Sequence, residues 1–179
     1  MKKQNFLKPL NLACLQEKGC RPIFNYIHIV DGYLLATDTH ILIKQPLKYH
    51  TIINSEKLNG KSIHYAMFAQ ICKYQTAEAT DDGILCIDKY RNQVLYKLPK
   101  TEDLGKVPDF ERVINNATPT ETGEIIINPH SLDTITRTMF FDTDKKVSII
   151  PCKTFVNIIK PTSEEYADQS VLMMGYFHE

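Results

Sequence analysis

The sequence lacks the residue clusters that usually reveal an enzyme or a metal centre. Its seven glycines form no phosphate-binding loop, and no G-x-S-x-G nucleophile turn occurs. The histidines show neither H-x-x-x-H nor H-x-E spacing. We therefore predict a protein that is not an enzyme and that carries no metal and no cofactor. The alternative of a small enzyme, with Cys86 or Cys152 meeting a distant histidine in space, has no positive signal behind it.

Paired cysteines are also missing. The five cysteines are odd in number and scattered, and they include no C-x-x-C pair: Cys14, Cys20, Cys72, Cys86 and Cys152. This pattern indicates neither a disulfide framework nor a zinc knuckle. The simplest interpretation is a set of reduced thiols in a cytoplasmic protein.

Neither sign of charge is in excess, because Lys+Arg and Asp+Glu both number 21. Neutrality lowers the expectation of nucleic-acid binding, although net charge does not describe how charge is distributed over the surface. Lys8 and Pro9 interrupt the apolar run that would complete a signal peptide after Met1-Lys2-Lys3. No segment is long and apolar enough to cross a membrane, so no membrane partner is expected.

Residues 27–47 carry the clearest structural signal that is present. Asp31 and Gly32 separate two apolar runs, and this pair readily adopts the positive φ angles of a two-residue type I′ turn. The turn at Asp38-Thr39-His40 then leads into Ile41-Leu42-Ile43. These residues predict three consecutive antiparallel strands.

The same order of elements returns later in the chain. Apolar side chains at helical spacing predict a helix over residues 63–75. A second Asp-Gly hairpin over residues 77–87 and a strand over residues 93–98 follow it. The first round has only a weaker helix, around residues 11–18.

The third round begins with a predicted strand at residues 124–127. Asn128 and Pro129 form a good N-cap and first-turn pair for a helix whose apolar stripe includes Leu132 and Ile135, with Thr134 on the polar side. Three further strands are predicted after this helix: residues 146–150, 154–160 and 170–177.

These three rounds predict an α+β protein of repeated helix-plus-three-antiparallel-strand units. Such units leave strand edges free, which favours side-by-side association into a longer sheet. Residues 101–122 show no periodicity and mark the expected boundary. We predict a domain of two units over residues 1–115 and a half domain over residues 116–179.

Three segments resemble the bacterial DNA polymerase III β sliding clamps. The stretch Ala36-Thr37-Asp38-Thr39-His40-Ile41-Leu42 is similar to the family's ATDGHRL sequence, with Thr39 and Ile41 where the family has Gly and Arg. Residues 107–114 (VPDFERVI) resemble its FPDYxRVIP segment, and residues 171–176 (VLMMGY) its VVMPM-type C-terminal strand. The segments occur in the family's order, so the chain is identified as a truncated or divergent member with a DNA clamp-like fold.

In that family the three segments converge on an apolar pocket that takes short linear peptides. The resemblance implies that such peptides, from replication or mobile-element proteins, are the partners of this chain. It also implies an accessory processivity factor with a Met-containing groove. The residues that it assigns to peptide binding are Thr37, His40, Leu42, Pro108, Val113, Leu172, Met173 and Met174.

The resemblance alone suggests contact with DNA, since helices line the central hole of a clamp ring. It assigns non-specific contact with double-stranded DNA to Lys18, Lys73 and Arg137 on polar helix faces. A ring built from such short chains would be a homo-oligomer. The alternative is a monomeric protein-interaction adaptor that keeps the groove and has lost DNA encirclement.

Overall fold

The computed structural model describes residues 7–16, 21–120, 125–153 and 156–174. Three α-helices occur in these residues: α1 (Tyr65–Ile71), α2 (Phe110–Asn115) and α3 (Pro129–Thr138). Eleven strands accompany them: β1 (Tyr26–Val30), β2 (Tyr33–Thr37), β3 (Ile41–Pro46), β4 (Ile52–Ile53), β5 (Ser62–His64), β6 (Thr76–Ala79), β7 (Gly83–Ile87), β8 (Gln93–Lys97), β9 (Val147–Pro151), β10 (Val156–Pro161) and β11 (Ser170–Met174). None of these helices combines the length and apolar character that a membrane span requires.

The strands form two sheets. The first has seven strands in the order β5-β1-β2-β3-β11-β10-β9, and the second has four in the order β4-β6-β7-β8. Strands β3 and β11 pair antiparallel, with Leu42 opposite Leu172. The hairpin strands of the first and third rounds therefore share one sheet, which combines strands from both sides of the boundary predicted at residue 115. The hairpin strands of the second round belong to the other sheet.

The two Asp-Gly hairpins form through different turns. Asp31 and Gly32 have φ angles of 49° and 76°, as a type I′ turn requires. Gly83 has no such φ, and it begins β7 rather than completing a tight turn. A Cβ atom on Gly83 would lie 1.9 Å from the carbonyl oxygen of Tyr96, so the close approach of β8 requires glycine there.

Several predicted elements differ from the structure. The helix expected over residues 11–18 is a short 3-10 turn, Leu10–Ala13, and part of that range lies outside the described residues. Residues 125–128 form no strand, because no strand in the described part of the chain pairs with them. Thr134 of α3, predicted on the polar face, is only 4% exposed. Helix α2 was not predicted at all.

Side chains alternate across the seven-stranded sheet, so each of its faces has its own apolar cluster. One face joins the main core, which includes Phe68 of α1, Ile135 of α3 and residues of the second sheet. The opposite face carries a smaller outer cluster around α2: Leu35, Leu42, Phe110, Ala117, Cys152 and Leu172. The outer cluster positions the site described below.

A buried polar network connects β3, the end of α3 and the start of β11. The amide nitrogen of Gln45 donates to the carbonyl oxygen of Thr138 at 2.7 Å and to Oε1 of Gln169 at 3.0 Å. Gln169 in turn donates to the carbonyl oxygen of Phe140 at 2.6 Å. His50 Nε2 lies 3.1 Å from Gln45 Oε1, while its Nδ1 atom has no hydrogen-bond partner among the described residues.

Candidate peptide-binding groove

The floor of an open groove is formed by the outer face of β3 and β11. Leu42 and Leu172 are opposite each other across these two strands, and both belong to the outer cluster. Met174 lies two residues beyond Leu172, on the same face, and is 50% exposed. Val156 of β10 is opposite Met174 and extends the floor.

The turn between β2 and β3 forms the polar end of the groove. Oδ1 of Asp38 accepts from the backbone N–H of His40 at 2.8 Å and of Ile41 at 2.7 Å. The N–H of Thr39 donates to Thr37 Oγ1 at 3.0 Å. Asp38 therefore satisfies the backbone of the turn, which turns the side chains of Thr37, Thr39 and His40 toward the groove.

Helix α2 forms a wall of the groove. It begins where Oδ1 of Asp109 accepts from the N–H of Arg112 at 2.9 Å. Phe110 is only 4% exposed and anchors the helix in the outer cluster. Pro108 and Val113 then line the groove, and Val113 is 47% exposed.

An ion pair holds α2 against the sheet. Lys44 Nζ of β3 pairs with Glu111, and it also lies 4.3 Å from the ring centroid of Tyr33. The side chain of Lys44 is only 18% exposed, so neighbouring groups enclose most of it. The groove wall is therefore fixed by both an apolar anchor and a charged contact.

The groove encloses a cavity of about 320 Å³. Seven of the eight residues assigned to peptide binding line it: Thr37, His40, Leu42, Pro108, Val113, Leu172 and Met174. Met173 does not, because alternation along β11 turns it into the main core, where it is 1% exposed. The assignment of Met173 to the groove is corrected accordingly.

Five further residues line the cavity: Phe24, Thr39, Ile41, Phe110 and Val156. Thr39, Ile41 and Phe110 lie inside the segments that carried the prediction. Val156 follows from its register opposite Met174. Phe24 lies in the 3-10 turn Pro22–Asn25, and nothing in the sequence indicated it.

The three cations assigned to DNA are not all on helices. Lys73 lies in the turn after α1, and its ammonium donates to Gln70 Oε1 at 3.1 Å. Arg137 is in the last turn of α3, where its 57% exposed side chain lies 3.5 Å from Asp133. Lys18 is outside the described residues. The placement of Lys73 on a helix face is thus wrong, because α1 ends at Ile71.

The described thiols lie in environments that keep them protonated and therefore disfavour a role as nucleophile. Burial raises the pKa of Cys14, Cys72 and Cys86 to about 12 and also raises the pKa of Cys152. A thiol at such a pKa stays protonated near neutral pH, whereas catalysis needs the thiolate. These environments do not favour the enzyme alternative.

A buried histidine and a buried serine, His28 and Ser62, also lie in contact. His28 Nδ1 lies 2.8 Å from Ser62 Oγ, but the two residues are 1% and 0% exposed. Burial lowers the pKa of His28, which keeps its ring neutral. This contact satisfies buried polar groups and offers no access to a substrate.

The sequence matches no protein-family model, and no curated protein matches it. Among solved structures, the chain is similar to the DnaN sliding clamp (DNA polymerase III subunit beta) from Bartonella birtlesii bound to griselimycin. The TM-score is 0.52 at 15% identity, over 95% of this chain and 64% of that chain. The DNA polymerase III subunit beta from Pseudomonas aeruginosa is matched at TM-score 0.45 and 12% identity, over 94% of this chain and 62% of that one.

This chain thus spans less than two thirds of each of these clamp chains. At this identity the likeness to the Bartonella birtlesii clamp concerns the fold. It confirms the predicted α+β, DNA clamp-like architecture.

Proposed function

We propose that this chain is a non-enzymatic, clamp-like module that binds short linear peptides of replication or mobile-element proteins, as an accessory processivity factor. One observation carries the proposal: three segments far apart in sequence meet around one open cavity of about 320 Å³. This volume is in the usual range of ligand pockets, roughly 300–1,000 Å³. A monomeric adaptor would use the same groove, so peptide binding is common to both forms of the proposal.

The lining of the groove indicates what kind of peptide would fit. Its floor and helical wall are apolar, and its polar side chains are Thr37, Thr39 and His40, all from one turn. Met174 and Val113 leave apolar surface exposed that a ligand would cover. We expect a peptide with apolar anchor side chains and one hydrogen-bonding group at the end near Thr37.

Replacing Met174 tests the proposal most simply. A phage-displayed library of linear peptides would be selected on the native protein, and a recovered peptide would be labelled with fluorescein for anisotropy titration. Met174→Asp places a carboxylate against the bound apolar side chains, and we expect at least about tenfold weaker binding. Griselimycin, the ligand in the Bartonella birtlesii structure, provides a second probe.

Ile53→Asp is the matched control, since Ile53 is also a strand residue and is 53% exposed, but it does not line the groove. This variant should bind the peptide like the native protein. Equal affinities for the native protein and Met174→Asp would contradict the groove assignment.

A second proposal is weak, non-specific binding of duplex DNA by Lys18, Lys73 and Arg137. Its support is the clamp-like fold together with the exposure of Lys73 and Arg137. Binding should weaken as salt is raised, with a modest slope because few phosphates are neutralised. Changing Lys73 and Arg137 together to Glu should remove this binding, and salt-insensitive binding would contradict the proposal.

A further inference from the structure

Two phenylalanine side chains line the groove, and each belongs to a short element. Phe24 lies in the 3-10 turn Pro22–Asn25, and Phe110 is the first residue of α2. These elements have four and six residues, which are too few to be stable by themselves. Contacts with the sheet beneath therefore decide where the two rings lie.

His28 of β1 contacts both elements. It is opposite Leu35, a residue of the outer cluster, so its side chain is on the same face of the sheet as the groove. The centroid of its ring lies 6.1 Å from that of Phe110, within the range of aromatic pairs. Its Nε2 atom lies 3.0 Å from the carbonyl oxygen of Ile23, the residue before Phe24.

The hydrogen bonds of His28 have a fixed direction. A carbonyl oxygen can only accept, so Nε2 carries the proton and donates to Ile23. Burial lowers the pKa of His28, which keeps the ring neutral, and Nδ1 can then only accept. The hydroxyl of Ser62 consequently donates to Nδ1 at 2.8 Å, and Ser62 Oγ accepts in turn from Thr101 Oγ1 at 2.8 Å.

Thr101, Ser62 and His28 thus form a buried hydrogen-bond chain that joins three parts of the fold. Thr101 begins the 3-10 turn Thr101–Leu104, which precedes α2, while Ser62 belongs to β5 and His28 to β1. All three side chains are buried, and none of them lines the cavity. Because a buried polar group without a partner is costly, this chain favours a single arrangement of the parts that it joins.

We propose that His28 is a positioning residue of the peptide-binding groove. Through the buried hydrogen-bond chain and its ring contact, it holds Phe24 and Phe110 in the arrangement that accepts a peptide. This inference rests on the proposed peptide binding. His28 acts on the ligand only through these two rings, because it does not itself line the cavity.

Two substitutions separate the hydrogen bonds of His28 from its bulk. His28→Gln keeps a donor and an acceptor, whereas His28→Leu keeps neither. In the anisotropy titration with the selected peptide, we expect binding at least about tenfold weaker for His28→Leu and within about threefold of the native protein for His28→Gln. Equal losses in the two variants, or native affinity in His28→Leu, would overturn the proposal.

Ser62→Ala tests the same chain if His28→Leu does not fold. It removes the hydroxyl that donates to His28, and we expect about fivefold weaker peptide binding. Thr138→Val is the matched control, since it also removes a buried hydroxyl, which donates to the carbonyl oxygen of Thr134 at 2.7 Å within α3. The control should bind like the native protein, and equal affinities of Ser62→Ala and Thr138→Val would count against the chain.

The free protein provides a readout that needs no peptide. Met174 lines the same cavity as Phe24 and Phe110, so displacement of these rings changes the magnetic environment of its methyl group. The 13C-methyl signal of Met174 should shift in His28→Leu and Ser62→Ala and stay in place in the control variant. An unmoved signal in the first two variants would overturn the positioning role, whereas native peptide affinity in Met174→Asp would contradict the groove assignment instead.

Discussion

Thr39 holds a backbone conformation that a β-branched residue rarely adopts. Its φ is 82°, at the position where the ATDGH sequence of the sliding clamps has glycine. A non-glycine residue held there costs about 1–3 kcal/mol. The strain is located in the turn that forms the polar end of the groove, and Thr39 itself lines the cavity.

Thr39→Gly should therefore stabilise the fold by about 1 kcal/mol, since relief of strain exceeds the added entropy of the unfolded chain. Urea unfolding would measure the difference. Thr37→Gly is the control, because Thr37 has an ordinary strand conformation and should become less stable by about 1 kcal/mol. Equal effects of the two substitutions would contradict the strain at Thr39.

His50 makes stability depend on pH. Burial lowers the pKa of His50 to about 3, because a charged ring would be desolvated inside the protein. The unfolded chain binds a proton near the ordinary pKa of 6.5, while the folded chain stays unprotonated down to about 3. Above pH 6.5 His50 is neutral in both the folded and the unfolded chain, so it does not change the free energy of unfolding. As the pH falls from 6.5 to about 3, the free energy of unfolding decreases by about 1.4 kcal/mol per pH unit.

His50→Gln should flatten this dependence, measured as the free energy of unfolding in urea between pH 7 and pH 4. His130→Gln is the comparison, since His130 is exposed at the start of α3. Carboxylates contribute equally to all three proteins, so the difference in slope isolates residue 50. The same slope in His50→Gln and the native protein would show that His50 is not buried in its neutral form.

At the level of elements, the pairing of β7 with β8 depends on Gly83. Gly83→Ala would bring a Cβ atom to 1.9 Å from the carbonyl oxygen of Tyr96, which is backbone and cannot turn aside. We expect a loss of about 3 kcal/mol in the free energy of unfolding. Gly32→Asn is the control, because a Cβ there meets nothing within 4 Å and Asn tolerates its φ of 76°, so less than about 1 kcal/mol should be lost. Similar losses in the two variants, by thermal or urea unfolding, would contradict the close approach of β8.

The hairpin strands of all three rounds were predictable because their patterns are local, whereas residues 125–127 form no strand and the short strands β4 and β5 were not predicted. Asp31 and Gly32 fix one hairpin by their φ angles, and the period-2 pattern of β7 and β8 needs no distant partner to be recognised. Helix α2 was not predicted because its six residues are too few to show a helical period. Its stability comes from the Asp109 cap and from packing of Phe110 on a sheet that only the fold assembles.

The groove was predictable only to the extent that its segments resemble the clamp family. Alternation along β11 already implied that Met173 and Met174 face opposite sides, and the structure decides which of them is at the groove. Phe24 was not predicted as a lining residue because the packing of a 3-10 turn, and no periodic sequence pattern, brings it to the groove. Sequence patterns thus predicted the strands better than the helix and the 3-10 turn that line the groove.

On the scale of the whole molecule, the net charge is zero but polar and apolar groups are unevenly distributed over the surface. The groove is apolar with one polar end, and the edge strand β8 carries Lys97 and follows the turn that contains Arg91. The groove lies on the seven-stranded sheet and the β8 edge belongs to the other sheet.

Methyl NMR of the methionines tests the central claim most directly. With 13C in the methionine methyl groups, the signal of Met174 is identified by its loss in Met174→Leu. Adding the selected peptide should shift the Met174 signal strongly and leave those of Met139 and Met173 in place, because the latter two are 0% and 1% exposed in the main core. Saturable peptide binding that leaves the Met174 signal unmoved would contradict the account, since the peptide would then bind elsewhere.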